Sequence, residues 1–197
     1  MDPSGRPRAA ERRADQAAAA PLEVAAESLL PAPDLSGIIR AANAARLPFV
    51  VIGGFSVIAN GFVRATEDCD LLVPDGPESD RAILRFLRRS GAVRSYDGRP
   101  LSLDEIAAAD TLRVRSRYGI IDIIRGGLPP LDFQTVSERA MRLELDGQRV
   151  RVASLASVVG FKRLAGRPRD RLDLMELEAL HGKLPSEPIA GVDEGRS

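Results

Sequence analysis

Apolar positions return at helical spacing from Asp34 onward. Leu35, Ile38, Ile39 and Ala42 fall on one face, and Pro48 closes the element. The period then changes. Phe49-Val50-Val51-Ile52 is an unbroken apolar run that suits a buried strand, Gly53-Gly54 supplies a turn into a short helix, and Asp68-Cys69-Asp70-Leu71-Leu72-Val73 reads as a second buried strand. Pro74 and Gly76 interrupt it. Residues 79–90 then set Ile83, Phe86 and Leu87 against a face of arginines and end at Ser90-Gly91. Residues 101–110 form a weak helix that Ser102 can cap. Thr111 to Ser116 alternates Leu112 and Val114 with Arg113 and Arg115, and Tyr118-Gly119 turns it into Ile120-Ile121-Asp122-Ile123-Ile124. This is a hairpin whose second strand is apolar on both faces except at one residue. Gly126-Gly127 and Pro129-Pro130 mark a loop, residues 133–139 a short helix, and Asp146-Gly147 a hairpin turn between residues 141–145 and 149–152. Ser154 can cap a helix running to Ala165, and Pro168 opens another that ends near Gly182.

Strands alternating with helices predict an α/β (α+β) domain over residues 34–183, a small mixed sheet with flanking helices and a C-terminal helical segment. The Pro-, Gly-, Arg- and Ala-rich start, residues 1–33, is expected to be largely disordered, and residues 184–197 to form a flexible tail. With 197 residues, 44% of them hydrophobic, the chain can bury one good core. Lys plus Arg equals Asp plus Glu at 28 each, which excludes a global field for nucleic acid or membrane and leaves only local attraction. One cysteine excludes an internal disulfide, and no apolar run reaches the length of a membrane span. The expectation is a cytoplasmic protein without a membrane partner.

The chemistry concentrates on the second strand. Alternation puts Asp68 and Asp70 on one side, and two like charges held together in an apolar strand call for a cation between them. Mg²⁺, or Mn²⁺ in its place, takes oxygen ligands of this kind together with nucleotide phosphates. Gly53-Gly54 lets backbone N–H groups approach a phosphate closely. Asp122, alone among isoleucines, needs a partner, for which an arginine such as Arg113 or Arg115 is available. Lys162 falls seven residues after Leu155 on the inner face of its helix, aimed at a phosphate or snorkelling past the edge. Lys162, Arg163, Arg167, Arg169 and Arg171 interleave with Asp170 and Asp173, and an Arg169–Asp173 pair at i,i+4 predicts a solvated, ion-paired face. Cys69 reads as a small buried residue and His181 as a helix-end cation.

Ile52-Gly53-Gly54, thirteen intervening residues and then Asp68-Cys69-Asp70-Leu71 resemble the signature of the DNA polymerase β-like nucleotidyltransferases. Ser56 after the glycines and Arg64-x-Thr66-x-Asp68 look most like the small bacterial branch that includes abortive-infection and toxin–antitoxin nucleotidyltransferases. The likeness covers about residues 35–180. It implies transfer of a nucleoside monophosphate from an NTP to an acceptor hydroxyl, with Asp68, Asp70 and Asp122 as catalytic metal ligands. It also implies Gly53, Gly54, Ser56 and Lys162 as the nucleotide-binding set. RNA, tRNA or a protein side chain are the implied acceptors, and an antitoxin protein an implied partner. Two rival readings remain, an inactive nucleotide- or antitoxin-binding module and a small-molecule (antibiotic) nucleotidyltransferase. Haloacid-type phosphatases also use paired aspartates, but want a small residue and threonine where this chain has Leu71-Leu72.

Overall fold

The computed structural model describes residues 32–189. Its helices are α1 (Leu35–Ala44), α2 (Gly53–Ala59), α3 (Pro77–Ser90), α4 (Leu103–Ala107), α5 (Phe133–Arg139), α6 (Leu155–Ala165) and α7 (Pro168–His181). Its strands are β1 (Val50–Ile52), β2 (Asp68–Val73), β3 (Val93–Arg94), β4 (Thr111–Ser116), β5 (Gly119–Arg125), β6 (Met141–Leu145) and β7 (Gln148–Val152). Local chemistry sets several ends. The Asp34 carboxylate accepts from the Gly37 N–H, Ser102 and Glu105 make a reciprocal capping box, and Gly91 and Gly166 close α3 and α6 in the left-handed conformation. Ser154 stands at the N-cap of α6 as expected, yet makes no capping bond; its hydroxyl lies 3.3 Å from that of Ser157.

The strands form one mixed sheet in the order β3-β4-β5-β2-β1-β7-β6. β2 runs parallel to β5 and β1 parallel to β7, while the other neighbours are antiparallel. The mixed α/β architecture matches the expectation, including the β4–β5 and β6–β7 hairpins. The edge strand β3 is an addition, too short to leave a periodic trace.

Each face of the sheet carries its own apolar layer. On one, Ile38 and Ile39 of α1 and Ile83 and Phe86 of α3 pack against Val51, Leu71, Ile121 and Ile123. On the other, Val50, Ile52 and Leu72 meet Val57, Val136, Val158 and Leu177. Asp68 and Asp70 share the strand parity of Leu72, so they occupy positions where this second layer would otherwise continue. The second layer is interrupted there.

Leu184 packs on that second layer, Glu187 pairs with Arg139 at 2.7 Å, and Ile189 is 5% exposed, so the first part of the expected tail lies against the domain. Residues 1–31 and 190–197, where the remaining expectations of disorder and a tail fall, lie outside the described residues. Among the described residues no helix is long and apolar enough to cross a membrane.

Candidate active site

Strand register brings the three carboxylates together. Ile52 pairs with Asp70 across β1–β2, and Asp70 pairs with Asp122 across β2–β5. Directly paired residues point to the same face, so Asp68, Asp70 and Asp122 share one side of the sheet. They line a cleft of about 460 Å³ with Gly53, Gly54, Arg113, Phe161, Lys162 and Arg167.

Burial and mutual repulsion act together on these carboxyl groups. Desolvation, then the charges of Asp68 and Asp122, push the Asp70 carboxyl from 3.8 up to about 6, against the opposing pull of Lys162 and Arg167. Asp122 is also raised, chiefly by burial, although Arg113 pulls it down. Cys69, fully buried beneath the carboxylates, has its thiol raised by desolvation and then by the three aspartates, which leaves it inert.

Arg113 is the direct cross-strand neighbour of Asp122 on β4. Its Nη1 donates to Asp122 Oδ2 at 2.6 Å and to Asp68 Oδ2 at 3.2 Å. Asp122 is therefore both a member of the acid cluster and the partner of an arginine, where the sequence suggested one or the other. Arg113 side-chain exposure is 53%, so loss of Asp122 would not strand a buried charge. Asp122→Asn is expected to change metal-free stability by less than about 1 kcal/mol, the range of exposed pairs. A melt that drops further would make Asp122 a structural partner and remove it from the candidate catalytic set.

The glycines act through different contacts. Gly53 has φ +59, and a Cβ there would collide with the Asp70 carboxylate. A Cβ on Gly54 would strike the Thr66 side chain, whose hydroxyl donates to the Asp68 carbonyl at 3.1 Å. Gly54 thus lets the segment entering β2 pack closely, a role beyond leaving room for a ligand. Gly53→Ala is expected to cost about 1–2 kcal/mol for its left-handed backbone. It should also displace Asp70 and weaken Mn²⁺ binding at least tenfold relative to Cys69→Ala, measured by calorimetry. Ser56 does not line the cleft: it is 1% exposed and its hydroxyl donates to the Gly53 carbonyl at 2.7 Å, holding the turn.

Lys162 neither snorkels nor stands free. Its Nζ lies 2.7 Å from Asp170 Oδ1 and 2.7 Å from Asp173 Oδ2, with only 7% of the side chain exposed. Arg64 Nε reaches Asp173 at 2.8 Å and Arg167 Nε reaches Asp170 at 2.7 Å, completing a five-membered chain of alternating charge behind the cleft. The solvated Arg169–Asp173 face is thus corrected. Asp173 is buried and held by Arg64 and Lys162, while Arg169 donates to the Ala65 carbonyl at 2.6 Å. Asp170, Asp173 and the fully buried Leu177 recur at i, i+3 and i+7 and form the buried face of α7. Leu172, Met175 and Leu180 are exposed, so apolar spacing along the helix gives no signal for the burial of the two acids. His181 ends α7 as expected, with Nε2 2.7 Å from the Asn60 carbonyl.

As they stand, no three acidic, histidine or cysteine side chains among the described residues are gathered closely enough to hold a metal ion. Arg113 Nη1 lies between Asp68 and Asp122. The donor set nevertheless fits a hard divalent cation. All three side chains are carboxylates, Asp122 Oδ1 is buried without a hydrogen-bond partner, and Gly53 leaves a cradle beside Asp70 that any side chain would fill.

No protein-family model and no curated protein sequence matches the chain. Solved structures do. The antibiotic-resistance factor ANT(2'')-Ia superposes with a TM-score of 0.52 at 15% identity, over 75% of this chain and 82% of its own. The lincosamide antibiotic adenylyltransferase LnuA superposes with a TM-score of 0.51 at 15% identity, over 74% of this chain and 95% of its own. The chain shares the fold of these two proteins. Within it, the carboxylates of β2 and β5 and the β1–α2 glycines line one cleft, backed by the α6–α7 charge chain.

Proposed function

We propose that the protein is a Mg²⁺-dependent (or Mn²⁺-dependent) nucleotidyltransferase that moves a nucleoside monophosphate from an NTP to an acceptor hydroxyl and releases pyrophosphate. The observation that carries this reading is the convergence of Asp68, Asp70 and Asp122 on one sheet face beside the Gly53 cradle, in this fold. Asp68 and Asp70, with Asp122, would hold the metal, which would supply Lewis-acid stabilisation of the charge that develops on the leaving pyrophosphate. Gly53 and Gly54 would seat the triphosphate, Ser56 supporting them through the turn it holds. Lys162 has two of its three donors committed to Asp170 and Asp173, which leaves one for a phosphate at the cleft wall. As the alternative to holding the metal, Asp122 would take the proton of the acceptor hydroxyl, a role its raised pKa suits.

For the acceptor, the sequence resemblance favours RNA, tRNA or a protein side chain, and with it a toxin restrained by an antitoxin protein. A second reading, a small-molecule hydroxyl, is favoured by the fold neighbours, an antibiotic-resistance factor and a lincosamide adenylyltransferase, and by a cleft of drug-ligand size. Incubation with each labelled NTP and Mg²⁺, followed by gels of RNA and protein and chromatography of aminoglycoside and lincosamide mixtures, separates these acceptors. Label in none of them, with nucleotide still bound, would make the protein a binding module.

A further inference from the structure

Among the arginines around the cleft, Arg113 is held differently. Arg64 and Arg167 are tied to the buried acids of α7, and Arg169 to the Ala65 carbonyl. Lys162 is committed to the same acids. Farther along β5, Arg125 is buried and its Nη1 donates to three carbonyls, those of Ile106, Ala107 and Ala109. Arg113, by contrast, is half-exposed, and among the described residues its guanidinium rests only on Asp68 Oδ2 and Asp122 Oδ2. Those oxygens belong to two of the three carboxylates that would hold the proposed metal.

We infer that Arg113 is a displaceable counter-ion of the carboxylate site, which makes metal binding and nucleotide binding depend on one another. This rests on the reading of the site as a metal–nucleotide centre. A guanidinium and a divalent cation cannot share Asp68 Oδ2 and Asp122 Oδ2, since both bring positive charge to the same atoms. Bare metal therefore has to expel Arg113 into water, where it loses two charge-assisted hydrogen bonds. A triphosphate arriving with the metal changes that balance. It offers the displaced fork a new anionic partner, and arginine's planar donors match phosphate oxygens. The metal alone binds weakly, the metal with nucleotide binds well, and by linkage the nucleotide gains from the metal as much as the metal gains from it. In the metal-free protein Arg113 also keeps Asp68 and Asp122 from standing unneutralised.

The test is Mn²⁺ binding to the full chain by calorimetry and electron paramagnetic resonance, with and without non-hydrolysable NTP analogues. It compares wild type, Arg113→Gln, Arg113→Lys and Asp68→Asn/Asp70→Asn. Arg113→Gln is expected to bind bare Mn²⁺ roughly tenfold more tightly, equivalent to about 1.4 kcal/mol, and to show a nucleotide-dependent gain smaller by a similar factor. Arg113→Lys, which keeps the charge without the fork, should fall between the two, and it serves as the readout if the glutamine variant folds poorly. Equal bare-metal affinity in wild type and both Arg113 variants, with binding lost in Asp68→Asn/Asp70→Asn, would overturn the counter-ion role and leave the metal site standing. Binding that is the same in all four proteins would overturn the metal site and the counter-ion role together.

Discussion

Asp68→Asn/Asp70→Asn is expected to abolish Mg²⁺-dependent NTP binding and to lower transfer by at least about a thousandfold, because it removes the anionic ligands while leaving their shape. The same change should make the metal-free protein more stable at neutral pH. Asp70 has its carboxyl raised from 3.8 to about 6, so between those values the folded state binds a proton that the unfolded chain has released. Stability therefore falls as pH rises through about 4 to 6, and the whole cost is present above about 6. Two pH units at about 1.4 kcal/mol each make roughly 3 kcal/mol. Asp70→Asn alone should recover most of this at pH 7 and nothing below about pH 4, read by urea melts of metal-free protein across that range. Identical pH dependence in wild type and Asp70→Asn would show that Asp70 is not held against the repulsion of its neighbours. Unchanged Mg²⁺–NTP affinity would remove these aspartates from the site.

The second large effect concerns Lys162. Its ammonium is the shared centre of two buried carboxylates, so Lys162→Met keeps the aliphatic packing but leaves Asp170 and Asp173 short of a counter-charge. Breaking a buried pair by removing one partner typically costs about 3–5 kcal/mol. Arg167 and Arg64 still reach the two acids, which places the loss near about 3 kcal/mol. Adding Asp173→Asn to Lys162→Met should recover part of it, since the uncompensated charge goes as well, and a double-mutant cycle measures the coupling. A loss below about 1 kcal/mol for Lys162→Met would mean that the charge chain is solvated and that Lys162 is free to serve the cleft alone.

How far the site was legible in the chain follows from the range of each interaction. Alternation along a strand is a local property, so the common face of Asp68 and Asp70, the glycine turn before them and the anomaly of Asp122 among isoleucines could all be read from neighbours in sequence. The helices and both hairpins were visible for the same reason, through period and turn residues. Strand β3 was not, because two residues carry no period. Ser56 was read as a ligand contact because its place after the glycines fits a family pattern. Its commitment to the Gly53 carbonyl depends on the turn's backbone geometry.

Charge pairing was where local reading failed. The i,i+4 rule assigned Asp173 to Arg169 on the assumption of an exposed helix face, but α7 is packed against α6 and Arg64 arrives from the segment before β2. Burial reverses the preference: a carboxylate removed from water takes the cations buried with it, not the nearest one along the chain. Residue type and short-range spacing thus limit which residues are candidates to bear the chemistry. Register decided what they form together. Only the β2–β5 and β4–β5 pairings set Asp122 beside Asp70 and put Arg113 across from Asp122, since sheet partners distant in sequence are chosen by packing of the whole core.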